Sequence, residues 1–73
     1  MSATVWCQLA NGPEHKELHA TKDAAVQALA ATLGAHTKKG HKVSEERSED
    51  GQRLRHIVKD ADGNPVAVYE ILN

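Results

Sequence analysis

Apolar and polar positions alternate along TVWCQL at residues 4–9. Val5, Cys7 and Leu9 share one side of the extended chain and Trp6 and Gln8 the other, which predicts a strand. ANGPEH (10–15) is made of turn residues, because Asn-Gly and Gly-Pro both interrupt regular structure. KELHA (16–20) then reads as a return strand or an extended lead-in. From residue 22 the period changes. Val26, Leu29, Ala30 and Leu33 recur at helical spacing with Ala25 on the flank, which predicts a helix over about 22–38. Thr21 is its N-cap, Asp23 suits the positive end of the dipole, Lys38 and Lys39 suit the negative end, and Gly40 is the stop.

Three further strands follow, over roughly 42–48, 53–59 and 65–72. Asp50-Gly51 predicts a two-residue hairpin loop in which Glu49 pairs with Gln52, Val43 lies opposite Val58, and Glu46 faces Arg55. The next connection, KDADGNP, resembles the start of a calcium loop, with Asp60, Asp62 and Asn64 at alternate positions. Such a loop needs glycine at its sixth position and a bidentate glutamate at its twelfth, where this chain has Pro65 and Ile71. The segment is instead predicted to be a three-residue turn, ADG, with Gly63 at positive φ and Pro65 opening the last strand.

With Asp60 opposite Asn64, one sheet face is expected to carry Val43, Leu54, His56, Val58, Val66, Val68 and Leu72 beneath the helix. The other is expected to carry Arg53, Arg55, Ile57, Ala67, Tyr69 and Ile71. The predicted fold is a small two-layer α+β domain. It has an antiparallel sheet of three to five strands, including a C-terminal three-strand meander, packed on one α-helix in the order β(β)αβββ. Periodicity does not say which edge of the meander the N-terminal strand joins, and the C-terminal strand is a candidate open edge. The order of hairpin, helix and meander, with TKDAAVQALA opening the helix, resembles that of many small bacterial or phage accessory proteins. That likeness is architectural and implies no function.

Composition narrows the picture. Residues 1–73 make one domain, small enough that the buried fraction of its surface is low and its stability thin. Cys7 is the single cysteine, so no disulfide forms within the chain. The N-terminus lacks the basic start and apolar run of a signal peptide, and the helix is too short to span a bilayer. A cytoplasmic protein without a membrane partner is expected. The net charge of −1 creates no overall field for nucleic acid or membranes. Trp6 and Tyr69 are the only Phe, Trp or Tyr residues, so small aliphatic side chains must build the core.

Candidate chemistry is sparse. His15 and His19 are four apart, His36 and His41 five apart, and Cys7 is a further possible ligand, but the helical spacing of His15 and His19 falls in a segment read as turn and strand, so no metal and no cofactor are expected. Cys7 alternates into the core and is expected to behave as a small hydrophobe rather than a nucleophile, so no catalytic residue is assigned and the chain is read as a non-enzyme. The outer face carries the functional expectation. Ile57, Ala67, Tyr69 and Ile71, with Arg53, Arg55 and Lys59 at the rim, have the composition of a contact surface. That surface would dimerise or hold a protein partner, unless the N-terminal segment with Trp6 folds back over it. The alternative is nucleic-acid binding through Lys38, Lys39, Lys42, Arg53 and Arg55.

Overall fold

The computed structural model describes residues 2–51 and 53–72. The chain folds as strands β1 (Ala3–Leu9) and β2 (Glu14–His19), helix α1 (Lys22–Lys38), and strands β3 (Lys42–Arg47), β4 (Leu54–Lys59) and β5 (Pro65–Leu72). All five strands form one sheet in the order β2-β1-β5-β4-β3, and every neighbouring pair is antiparallel. The apolar strand β5 therefore lies at the centre, paired on both sides, and is not an open edge. The edges are β2 (EHKELH) and β3 (KVSEER), whose charged side chains discourage further strand pairing.

Helix α1 leaves from one edge strand and returns to the other, so it crosses a single face of the sheet. Its start is capped as expected: Thr21 Oγ1 accepts from Ala24 N at 3.1 Å. Its end is closed by Gly40 at φ 85°. The buried stripe is centred one position earlier than the periodicity predicts. Ala25 and Leu29 are buried, whereas Val26 is 46% exposed and lies on the flank. The side chain of Ala25 is small enough to let the helix sit close to the sheet there.

Two turns set the meander. At 60–64, Asp60 N donates to Asn64 O at 2.9 Å, Gly63 N donates to Asp60 O at 3.0 Å, and Gly63 has φ 84°, as the ADG turn requires. The β3–β4 register also follows the sequence, with Val43 opposite Val58 and Glu46 opposite Arg55. The loop itself differs. Gly51 N donates to Ser48 O at 2.9 Å and, among the described residues of the loop, only Gly51 has positive φ, so the bend is a four-residue turn over Ser48–Gly51 rather than a two-residue primed turn. The expected Glu49–Gln52 pair lies outside the described residues.

The largest departure is in β5. Lys59 pairs with Pro65 as predicted, but Val58 then pairs with Ala67, leaving Val66 as the extra residue of a bulge. Val66 packs against the core, and its carbonyl accepts from Ala10 N at 3.0 Å. One inserted residue exchanges the two faces of everything after it. Ala67, Tyr69 and Ile71 therefore lie beneath the helix, and Val68, Glu70 and Leu72 lie outside, the reverse of the sequence expectation. The physical reason is Glu70. Without the bulge its carboxylate would point into an aliphatic core, whereas with it the carboxylate meets the arginines of the outer face.

Leu29, Val58, Ala67 and Tyr69 form the buried cluster, with Val5, Cys7, Leu9, Leu33, Val43 and Ile71 packed around it. Val5, Cys7 and Leu9 extend the core as the alternation in β1 predicted.

Candidate functional site

The outer face of the sheet carries no helix, and its residues are read directly from the pairing registers. One row crosses all five strands: Lys16, Trp6, Glu70, Arg55 and Glu46. Beside it run Gln8, Val68, Ile57 and Ser44, and on the other flank Leu18, Thr4 and Leu72. Trp6, Ile57, Val68 and Leu72 are half-buried, and Leu18 is 73% exposed. Trp6 thus sits on this face as part of the sheet, not as a flap folded over it.

Among the residues predicted for the contact surface, Arg53, Arg55 and Ile57 occupy it. Ala67 and Tyr69 are buried under the helix and Ile71 packs against the core, so these three are corrected out of the surface. Alternation in TVWCQL already separated Trp6 from the core side. Val68 and Leu72 were hidden from sequence reading by the bulge.

Glu70 is 1% exposed although its face has no second layer. Its cover is Arg53, whose guanidinium grips both carboxylate oxygens: Nη2 donates to Oε2 at 2.8 Å and Nε donates to Oε1. The fork geometry of arginine suits such two-point recognition. The Arg53 guanidinium holds its proton even more firmly than usual, chiefly because of the hydrogen bond to Glu70 and then the carboxylate's charge. The hairpin positions Arg53 from behind. Its N–H donates to Ser48 Oγ at 3.1 Å, its carbonyl accepts from Ser48 N at 2.9 Å, and Ser48 Oγ donates to Asp50 Oδ1 at 2.5 Å. The face therefore has a fixed polar centre, apolar residues around it, and charges of both signs at the two edges.

The basic residues do not converge. Lys38 and Lys39 sit at the C-terminal end of the helix, in the other layer. Lys42 begins the edge strand β3, and Arg53 is engaged by Glu70. Glu14, Glu46 and Glu70 share the outer face with Arg55.

On the helix side, the fold gathers side chains distant in sequence. His36 Nε2 lies 2.9 Å from Tyr69 Oη, and His36 Nδ1 lies 3.0 Å from His41 Nδ1. Tyr69 also neighbours Cys7, its partner across β1 and β5. Burial, and then Cys7, push the Tyr69 phenol up to about 12. Burial likewise raises the Cys7 thiol above its ordinary value, which leaves it protonated and a poor nucleophile near neutrality. His15 and His19 lie on β2, with His19 Nε2 2.7 Å from Glu17 Oε1. Among the described residues, no group of three or more His, Cys, Asp or Glu side chains is placed to hold a metal ion. In the 60–64 turn, Asp60 Oδ1 accepts from Asp62 N and Asn64 N, both at 2.9 Å, and these bonds lower its affinity for a proton.

The histidine pair predicts a pH dependence of stability. Burial first, then the charges of His41 and Lys39, hold His36 below its ordinary value. In the window just below about pH 6.5 the unfolded chain therefore binds a proton at His36 that the folded chain does not. The contribution is intact above that window and is lost as the pH falls through the folded value. Thermal melts of the wild type are expected to move down between pH 7.5 and pH 5. His36→Gln should flatten that fall; an unchanged slope in the variant would assign the dependence elsewhere.

No family model matches the sequence, and no curated protein or solved structure was found to match it significantly. Among the described residues, no helix is long and apolar enough to cross a membrane.

Proposed function

We propose that the chain is a non-catalytic interaction module that pairs with a second copy of itself through the open sheet face. The observation that carries this reading is the row Lys16, Trp6, Glu70, Arg55, Glu46, in which Lys16, 3.5 Å from Glu14 Oε1, and Glu46 stand at opposite edges, Trp6 and Arg55 flank the centre, and Arg53 neutralises the central Glu70. Stacking two such sheets about a two-fold axis parallel to the strands reverses the strand order of one over the other. Lys16 of each copy then faces Glu46 of the other, Trp6 faces Arg55, and the Arg53–Glu70 pairs meet at the axis. Trp6 over Arg55 is a favourable cation–aromatic contact. A 73-residue domain also gains from the added burial, because its own core is small.

Nucleic-acid binding gains no comparable support, because the acids named above lie among the few cations of this face and Arg53 is already engaged. Light scattering on a sizing column, over a hundredfold range of concentration, tests the proposal. A dimer mass that falls towards the monomer on dilution is expected, and a monomer throughout would overturn it. Lys16→Glu is expected to weaken the dimer by about threefold to tenfold, the scale of a rim ion pair. Adding Glu46→Lys to that variant should restore the affinity. If the double variant associates no better than the single one, the two-fold register is wrong.

A further inference from the structure

The helix covers only part of its own face of the sheet, and a second feature lies beside it. Between α1 and the ends of β3, β4 and β5 runs a cleft of about 400 Å³, within the range of small-molecule sites. Its walls are Val26, Leu29 and Leu33 from the helix and Leu54 and Ile71 from the sheet. Val26 is the more telling of these, because it is a large aliphatic side chain left 46% exposed at the cleft.

The polar groups of the lining are Lys22, Arg47 and His56, with no carboxylate among them. Lys22 opens the helix and Arg47 ends β3, which runs back from the helix C-terminus, so both cations lie towards one end of the cleft. Arg47 Nη1 donates to Gly51 O at 3.1 Å, one of the five N–H groups its guanidinium offers. His56 keeps Nδ1 shielded from water with no hydrogen-bond partner, 3.9 Å from Glu45 Oε1. A shielded polar atom left without a partner is costly in a folded protein and rare unless something completes it. The cleft is thus apolar along its length and positive at one end, with His56 in its wall.

We infer that this cleft binds a small amphipathic organic anion, with the acid group at Lys22 and Arg47 and the apolar body along Val26, Leu29 and Leu33. The site is separate from the outer sheet face and does not rest on the dimer proposal.

Decanoate, below its aggregation concentration, is a suitable probe, with decanol as its uncharged counterpart. In two-dimensional amide and side-chain NMR spectra of the wild-type chain, decanoate is expected to bind saturably. It should shift Val26, Leu29, Leu54 and His56 while leaving Trp6 and Ile57 unmoved. Decanol should bind at least tenfold more weakly. Lys22→Glu and Arg47→Glu should each weaken decanoate at least tenfold, Lys22→Glu with an unchanged melting temperature. Glutamate is well tolerated in the first turn of a helix, so Lys22→Glu tests the charge and not the fold. No saturable shifts, equal affinity for decanol, or shifts centred on Trp6 would each overturn the assignment. So would a change in solution mass caused by Lys22→Glu or Arg47→Glu, because the cleft would then be occupied by a second copy of the chain.

Discussion

Tyr69→Glu is expected to unfold the chain, whereas Ile57→Glu should leave it folded and monomeric. Tyr69 is 8% exposed, belongs to the central cluster, and places its hydroxyl 2.9 Å from His36 Nε2. Truncating a buried aromatic costs about 3–5 kcal/mol, and an unpaired carboxylate in its place adds to that. A domain of this size has about 4–11 kcal/mol in total, at the usual stability per residue. Far-UV circular dichroism and amide spectra should show Tyr69→Glu largely unfolded. Ile57, paired with Val68 on the other face, borders Ser44 and the arginines, and a glutamate there meets water in the monomer. At the centre of a dimer contact the same charge is expected to raise the dissociation constant at least about a hundredfold. A folded Tyr69→Glu would mean that the bulge in β5 is absent and that Tyr69 lies on the outer face beside Ile57.

The second large effect concerns Glu70. Glu70→Ala removes a shielded carboxylate and its two charge-assisted bonds to Arg53, at a cost of about 1.5–3 kcal/mol. For a domain of this length that is a fall in melting temperature on the order of 10 °C. Arg53→Met is expected to be worse, because it leaves the carboxylate in place without its cation. The double variant Arg53→Met/Glu70→Leu should recover most of the loss, since an apolar pair of similar volume often matches a shielded ion pair. Thermal melts of the wild type, Arg53→Met, Glu70→Leu and the double variant close the cycle. If Arg53→Met alone is neutral, the carboxylate is satisfied by water and the pair is not the centre of the face.

The contrast between the β3–β4 and β4–β5 hairpins shows how far the sequence could be read. For the first, Val43, Glu46, Arg55 and Val58 occur in a pattern that admits one sensible register, and that register is the one observed even though the loop is of another type. For the second, the ADG turn was legible in the same way, but the bulge beyond it was not. Pro65 was a local hint, since proline donates nothing to a ladder, but the deciding residue was Glu70, five positions further on. Assigning Glu70 to a face would have shown that the unbulged register buries a carboxylate under Leu29 and Leu33. The candidate surface was therefore half legible: Arg53, Arg55 and Ile57 precede the bulge and were placed correctly, while Ala67, Tyr69 and Ile71 follow it and were not.

The sequence by itself determined the helix from Lys22 to Lys38, its Thr21 cap and Gly40 stop, the positive φ of Gly63, and the two-layer α+β class. Each depends on chemistry within a few residues, where side-chain shape and hydrogen-bonding capacity act directly on the backbone. Tertiary structure alone decided that β5 lies between β1 and β4, that Arg53 closes over Glu70, that His36 reaches Tyr69, and that the helix leaves a cleft beside Val26. These arrangements join residues as far apart in the chain as Thr4 and Leu72. They are settled by where a carboxylate, a phenol or a valine finds a tolerable environment in the assembled fold, which no local pattern encodes.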